Sequence, residues 1–143
     1  MSKVFAIVLP VLLGLSILEC NSKSKPPAPS SPIGVYQYSG YDKAGKKVVE
    51  GLLEITSIES NRLKGTWQLK PIGNADKIGQ QVGTGTLVGE LNKDIVNINL
   101  NPNMADNNVN LSGKIEGAHF HGDWSFSGFP GVISQGTFEA RRK

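Results

Sequence analysis

From Gly34 onward the sequence predicts an all-β domain, an eight-stranded antiparallel up-and-down β-barrel, with a two-sheet β-sandwich as the alternative. Three observations predict it. The dominant hydrophobic period is two; no stretch of ten or more residues carries an apolar stripe at helical spacing; and eight short runs are set apart by Gly, Asn, Pro or Asp turn residues. Each run has one dry face. With no helix to cover that face, closing the sheet on itself buries it and removes the sheet edges.

The runs justify themselves in order. The first, 34–41, puts Tyr36 and Tyr38 on one side, and the second, 49–58, does the same with Leu53 and Ile55. In 62–70, Leu63, Trp67 and Leu69 alternate with Arg62, Lys64, Thr66, Gln68 and Lys70. The fourth run, 82–91, is rich in glycine and carries Leu87; in 94–100, Val96, Ile98 and Leu100 alternate with Asn97 and Asn99. Run 108–116 sets Val109, Leu111 and Ile115 against Asn108, Asn110, Ser112 and Lys114. Run 119–127 sets Phe120, Trp124 and Phe126 against His119, His121 and Asp123, and 132–141 sets Phe138 and Ala140 against Thr137, Glu139 and Arg141. Successive side chains of a strand point to opposite faces, so each run reads as half buried and half wet. The expected lining is Tyr36, Tyr38, Leu53, Ile55, Trp67, Leu87, Val96, Ile98, Leu111, Trp124, Phe126 and Phe138, with glycines at 83, 85, 89, 113, 122 and 136 marking missing side-chain volume.

The chain also echoes itself. IESNRLKGTWQLK (58–70) aligns with IEGAHFHGDWSFS (115–127), matching Leu63 with Phe120, Gly65 with Gly122, Trp67 with Trp124 and Leu69 with Phe126. Weaker copies of the Gly-x-large pattern are GTL (85–87) and GTF (136–138). A hairpin-sized unit repeated in this way would close on itself. The opening GVYQY, the repeated GTW, GDW and GTF strands and the closing GTFEARR resemble the small eight-stranded barrels of the calycin group, the lipocalin and avidin-like proteins. The resemblance spans 34–143 and implies a lipocalin-like fold that binds small molecules or proteins, with no particular ligand.

The N-terminus reads as an address. Residues 4–18 are an apolar run behind Lys3, the length of a secretory signal and short of the ~20 residues of a spanning helix. The run ends in SILEC, which resembles the lipobox of bacterial lipoproteins, with Glu19 where that family carries a small residue. The resemblance implies removal of a signal peptide, 1–19, and lipid attachment (palmitate) at Cys20; a signal-peptidase cut after Ser16 is the competing reading. Residues 20–33 form a Pro/Ser/Lys tether too poor in apolar content to pack. In the sorting pattern of such lipoproteins, Asn21 implies the outer membrane. The expected location is the cell envelope, lipid-anchored at the outer membrane or periplasmic face, with the membrane reached through that N-terminal lipid.

Loop lengths distinguish the two ends of the barrel. The connections at 59–61, 92–93 and 117–118 are short, and those at 42–48, 71–81, 101–107 and 128–131 are longer and fall at one end. That end is the expected open mouth. Ligand-binding candidates are Tyr38, Trp67, Trp124 and Phe126 inside, Phe129 at the rim, and Asn103, Asp106 and Asn107 on a loop whose Asx side chains serve equally as turn caps.

Chemistry is otherwise sparse. The single cysteine allows no internal disulfide, and from residue 33 onward 12 Lys and Arg meet 11 Asp and Glu, so the domain lacks the basic stripe that nucleic acid selects. There is no nucleophile motif and no telling pair of acids, and His119, His121 and Asp123 fall on the wet face without a further ligand. The expectation is a chain with no enzymatic activity, catalytic residues, metal or cofactor. It would bind a small apolar or amphipathic ligand at the barrel mouth or, alternatively, serve as a packed protein-interaction or structural module whose partner is an envelope protein.

Overall fold

The computed structural model describes residues 31–73, 78–79 and 81–143. The expected signal peptide, Cys20 and the tether as far as residue 30 lie outside the described residues. The rest is a closed barrel in which eight antiparallel strands follow one another in chain order: β1 (Gly34–Asp42), β2 (Lys47–Glu59), β3 (Arg62–Pro71), β4 (Gly83–Asn92), β5 (Ile95–Asn99), β6 (Asn108–Glu116), β7 (His119–Gly128) and β8 (Gly131–Arg142). Seven of the pairings join neighbours in sequence, and the eighth joins the first strand to the last, from Tyr36 opposite Arg142 to Asp42 opposite Gly136. A ring without a break excludes the sandwich.

Alternation is realised strand by strand. Of the expected lining all are buried except Phe126, which is partly buried against the same cluster. The core also takes in Val48, Val49, Leu63, Leu69, Ile78, Leu100, Val109, Phe120 and Ala140. Val48 and Val49 are buried together because the ladder shifts register between Gly40 and Tyr41, which lets two successive residues of β2 turn inward. Lys64, Thr66 and Gln68 face water on the outside. An apolar inside and a polar outside is the reverse of a membrane-spanning barrel, whose outer wall must sit in hydrocarbon.

The internal echo is a structural repeat. Trp67 on β3 lies opposite Gly85 on β4, and Trp124 on β7 lies opposite Gly136 on β8. A Cβ at Gly85 would fall 2.6 Å from the Trp67 ring, and one at Gly136 would fall 2.7 Å from Trp124 Nε1. Each indole therefore lies against a glycine of the next strand, and those two glycines, Gly85 and Gly136, are the ones that open the weaker copies GTL and GTF. The two units are four strands apart in a ring of eight, so they relate by a half-turn about the barrel axis.

Two connections are shorter than expected. The segment 42–48 contains only a four-residue turn, 43–46, because the Asp42 carboxylate accepts the N–H groups of Ala44 and Lys46 at 2.9 Å each and carries the ladder to its tip. The segment 128–131 is a two-residue turn, Phe129 and Pro130, between Gly128 and Gly131. The long loops, 72–82 and 100–107, do fall at the end expected to be open.

Candidate functional site

Three places were open to function: the interior, its mouth, and the outer wall. Inside, the aromatic candidates are engaged with one another and with the backbone. The Trp67 indole N–H donates to the Leu100 carbonyl at 2.7 Å, and the Trp124 N–H to the Tyr41 carbonyl at 2.8 Å. Tyr38 stacks on Phe138 with ring centroids 5.7 Å apart, and Phe120 meets the same ring edge-on at 4.7 Å. Such contacts hold the rings in fixed orientations, since a buried indole N–H or phenol O–H needs a partner.

The mouth is plugged. Of the described residues between β3 and β4, Ile78 is buried among the core side chains and Gln81 is 0% exposed. Tyr38 donates its hydroxyl to Gln81 Oε1 at 2.9 Å, and Gln81 Nε2 donates to the Ile78 carbonyl at 2.8 Å. Full burial away from cations pushes the Tyr38 hydroxyl far above the ordinary phenol range, so it remains a donor. Gly79, with φ +67°, lies directly against the Phe126 ring. No side chain of L configuration takes that conformation readily, and none would fit there. Gln81 and Ile78 escape sequence reasoning because their loop has no periodicity; the one signal is an apolar Ile in a Gly- and Gln-rich segment.

The opposite end is closed as well. Tyr36 donates to the Pro32 carbonyl at 2.7 Å, and Arg142 donates to Tyr36 Oη at 2.9 Å and to the Ser31 carbonyl. The guanidinium also lies over the Tyr36 ring, 5.4 Å from its centroid. Residues 31–33 thus cross this end, and the chain enters the barrel on the side away from the long loops.

The loop candidates separate. Asn103 and Asp106 are exposed, and Asn107, with φ 66°, spends its carbonyl on Asn101 Nδ2 at 3.3 Å. Asn108 bridges the loop from Asn99 Nδ2, 2.9 Å away, to the Met104 carbonyl, 3.2 Å away. The Asx side chains near this loop largely satisfy its backbone. Phe129 is different: at 97% exposure it projects from the β7–β8 turn, with Val132 and Ile133 exposed beside it and Val82 and Met104 exposed on the two long loops. This apolar rim was visible to sequence reasoning only at Phe129. Ile133 escaped because the ladder shifts register between Phe126 and Ser127, just short of the turn.

On the outer wall a concavity of about 580 Å³ lies over β3 to β6, lined among others by Arg62, Lys64, Val88, Glu90, Asn97 and Ser112. His119 and His121 point outward with ring centroids 4.7 Å apart, and His119 Nε2 is 3.7 Å from Glu139. A hydrogen bond from Tyr41 at 2.9 Å, helped by the Arg141 charge, holds the Glu139 carboxyl below its ordinary range. Asp123 is exposed on the same wall. Among the described residues no three His, Cys, Asp or Glu side chains gather as a cation site.

No family model matches this chain, and no curated protein matches it. Among solved structures it is similar to a redesigned β-barrel, with a TM-score of 0.47 and 13% identity over 78% of this chain and 90% of that one. It is also similar to a fluorescence-activating β-barrel of de novo design, with a TM-score of 0.45 and 12% identity over 78% of this chain and 93% of that one.

Proposed function

We propose that this chain is a lipid-tethered, non-enzymatic binding module of the cell envelope that meets its partner with the loop-bearing rim of a packed barrel. The observation that carries the reading is the distribution of exposed apolar side chains. Of the eight large ones among the described residues, five (Val82, Met104, Phe129, Val132 and Ile133) belong to that rim. Surface apolar residues scattered singly need no explanation, whereas several gathered at one end mark an interaction site. The lipocalin-like use of the interior, with a small ligand against Trp67 and Trp124, requires Ile78 and Gln81 to leave first.

Native mass spectrometry of the chain purified from its own host tests the choice. The bare polypeptide mass, with or without an N-terminal lipid, supports the rim; a stoichiometric small molecule lost on Trp67→Ala overturns it. The tether has its own test: palmitate labelling should disappear in Cys20→Ala, and labelling that persists refutes the anchor.

A further inference from the structure

We infer that the partner of this rim is an anionic lipid bilayer, into whose headgroup boundary Phe129 and Val132 insert. The inference rests on the reading of the rim as the working surface. The apolar side chains of the rim stand on separate connections. Phe129 stands at the tip of a hairpin whose ladder runs up to the pair Gly128 and Gly131, so its backbone is held while its ring projects fully into solvent. Val82 and Met104 belong to two other loops of the same end. Exposed apolar side chains on separate connections of one end suit a fluid apolar phase that closes round each of them.

Charge points the same way. Because β8 pairs with β1, the β1–β2 turn is the neighbour of the β7–β8 hairpin around the rim. That turn carries Lys43 and Lys46, neither of which makes an ion pair among the described residues. The acids on this side are Asp42, whose carboxylate accepts backbone N–H groups of its own turn, the exposed Asp123, which borders the same concavity as Lys43, and Asp106 of the 100–107 loop. Two free lysines beside an inserting aromatic match anionic headgroups, at about 1 kcal/mol per cation near such a surface.

The chain outside the barrel permits it. Arg142 and Tyr36 hold residues 31–32 at the end opposite the rim, which leaves residues 21–30 after Cys20. Ten residues reach at most roughly 35 Å. Ten-residue strands at about 3.3 Å per residue, tilted by about 40°, give a barrel roughly 25 Å tall. The tether is long enough to let the rim lie on the same membrane that holds the lipid. A lipid and an inserting rim on one chain then act as two signals, each raising the local concentration of the other.

The experiment uses the chain from residue 20 to 143 with Cys20→Ser, so that the lipid contributes nothing. It is sedimented with vesicles of phosphatidylcholine alone or with about one third phosphatidylglycerol. Binding to the anionic vesicles is expected. Phe129→Ser combined with Val132→Ser should weaken it roughly tenfold or more while the circular dichroism spectrum stays unchanged. Lys43→Glu with Lys46→Glu should abolish the preference for anionic lipid. In Phe129→Trp, brominated lipid should quench fluorescence beyond the level of the parent chain, whose Trp67 and Trp124 are buried. Failure to sediment with either vesicle, or binding indifferent to the Phe129 and Val132 changes, overturns the bilayer. If the same two substitutions instead abolish cross-linking to an envelope protein, the rim reading stands and the bilayer falls. A small molecule found inside the barrel removes the rim reading itself.

Discussion

The plug is the feature on which the choice between rim and cavity depends, and a double-mutant cycle measures it. Gln81 is joined at both ends of its amide: to the Tyr38 hydroxyl at 2.9 Å and to the Ile78 carbonyl at 2.8 Å, with no water-facing surface. Gln81→Leu keeps the approximate volume and strands two buried groups, the phenol proton and a carbonyl. Each orphan costs about 1–3 kcal/mol, so a loss of roughly 2–6 kcal/mol is expected, a large part of the stability of a small domain. Tyr38→Phe strands only the Gln81 oxygen and should lose about 1–3 kcal/mol. With both changes the Tyr38 and Gln81 positions are apolar and only the Ile78 carbonyl is orphaned, so the double variant should fall short of the sum by the two orphans it avoids, about 2–6 kcal/mol. Urea unfolding followed by tryptophan fluorescence reads these values, with a constant m confirming that the same surface is exposed throughout. A Gln81→Leu cost below about 0.5 kcal/mol, with additive behaviour, would mean that the loop does not seat in the mouth and that the packed-barrel reasoning is wrong.

Three further expectations follow from the same contacts. Gly136→Ala drives a methyl against the Tyr41 carbonyl and the Trp124 indole, which share a hydrogen bond, and should cost about 2 kcal/mol or more in the urea midpoint; a neutral effect would mean that the indole does not lie over the glycine. Tyr38 is held protonated in the fold and titrates near 10.0 when unfolded, so its contribution is complete below pH 10 and falls at higher pH by about 1.4 kcal/mol per unit. Tyr38→Phe should flatten that alkaline limb, and an unchanged limb would refute the burial. Glu139 runs the other way: its lowered value makes its contribution present above about 4.5 and lost as the pH falls through the folded-state value, so Glu139→Gln should lessen the drop in unfolding midpoint between pH 6 and pH 3.

Architecture was legible because its signal is local and repeated. Alternation along 94–100 or 108–116 needs only a few residues to identify a dry face, and the echo of Trp67 in Trp124 was visible before any pairing was known. The strand register turned the echo into a contact rule, with each indole over a glycine. What the sequence hid is non-local. Nothing around Gln81 says that its amide will meet Tyr38, because the two lie 43 positions apart and no periodicity connects them. The turns at 43–46 and 129–130 were overestimated for a related reason: Asx hydrogen bonding at Asp42 and a register shift near Ser127 extend the ladders past the point where apolar alternation stops. The outward direction of His119 and His121 followed from alternation alone, whereas the apolar rim emerged only when three separate loops were brought to one end.

The seam between β1 and β8 sets the order of assembly. Every other strand pair joins neighbours along the chain, but Tyr36 meets Arg142 across 106 positions. A polypeptide made from its N-terminus can form hairpins as they emerge, yet the ring cannot shut until the last strand has followed. Until then β1 and β7 present bare edges and the inner aromatics face water, the state most open to wrong pairing. A chain cut short before β8 is therefore expected to yield an aggregating sheet in place of a smaller barrel, and quality control of such a protein would act on this one late event.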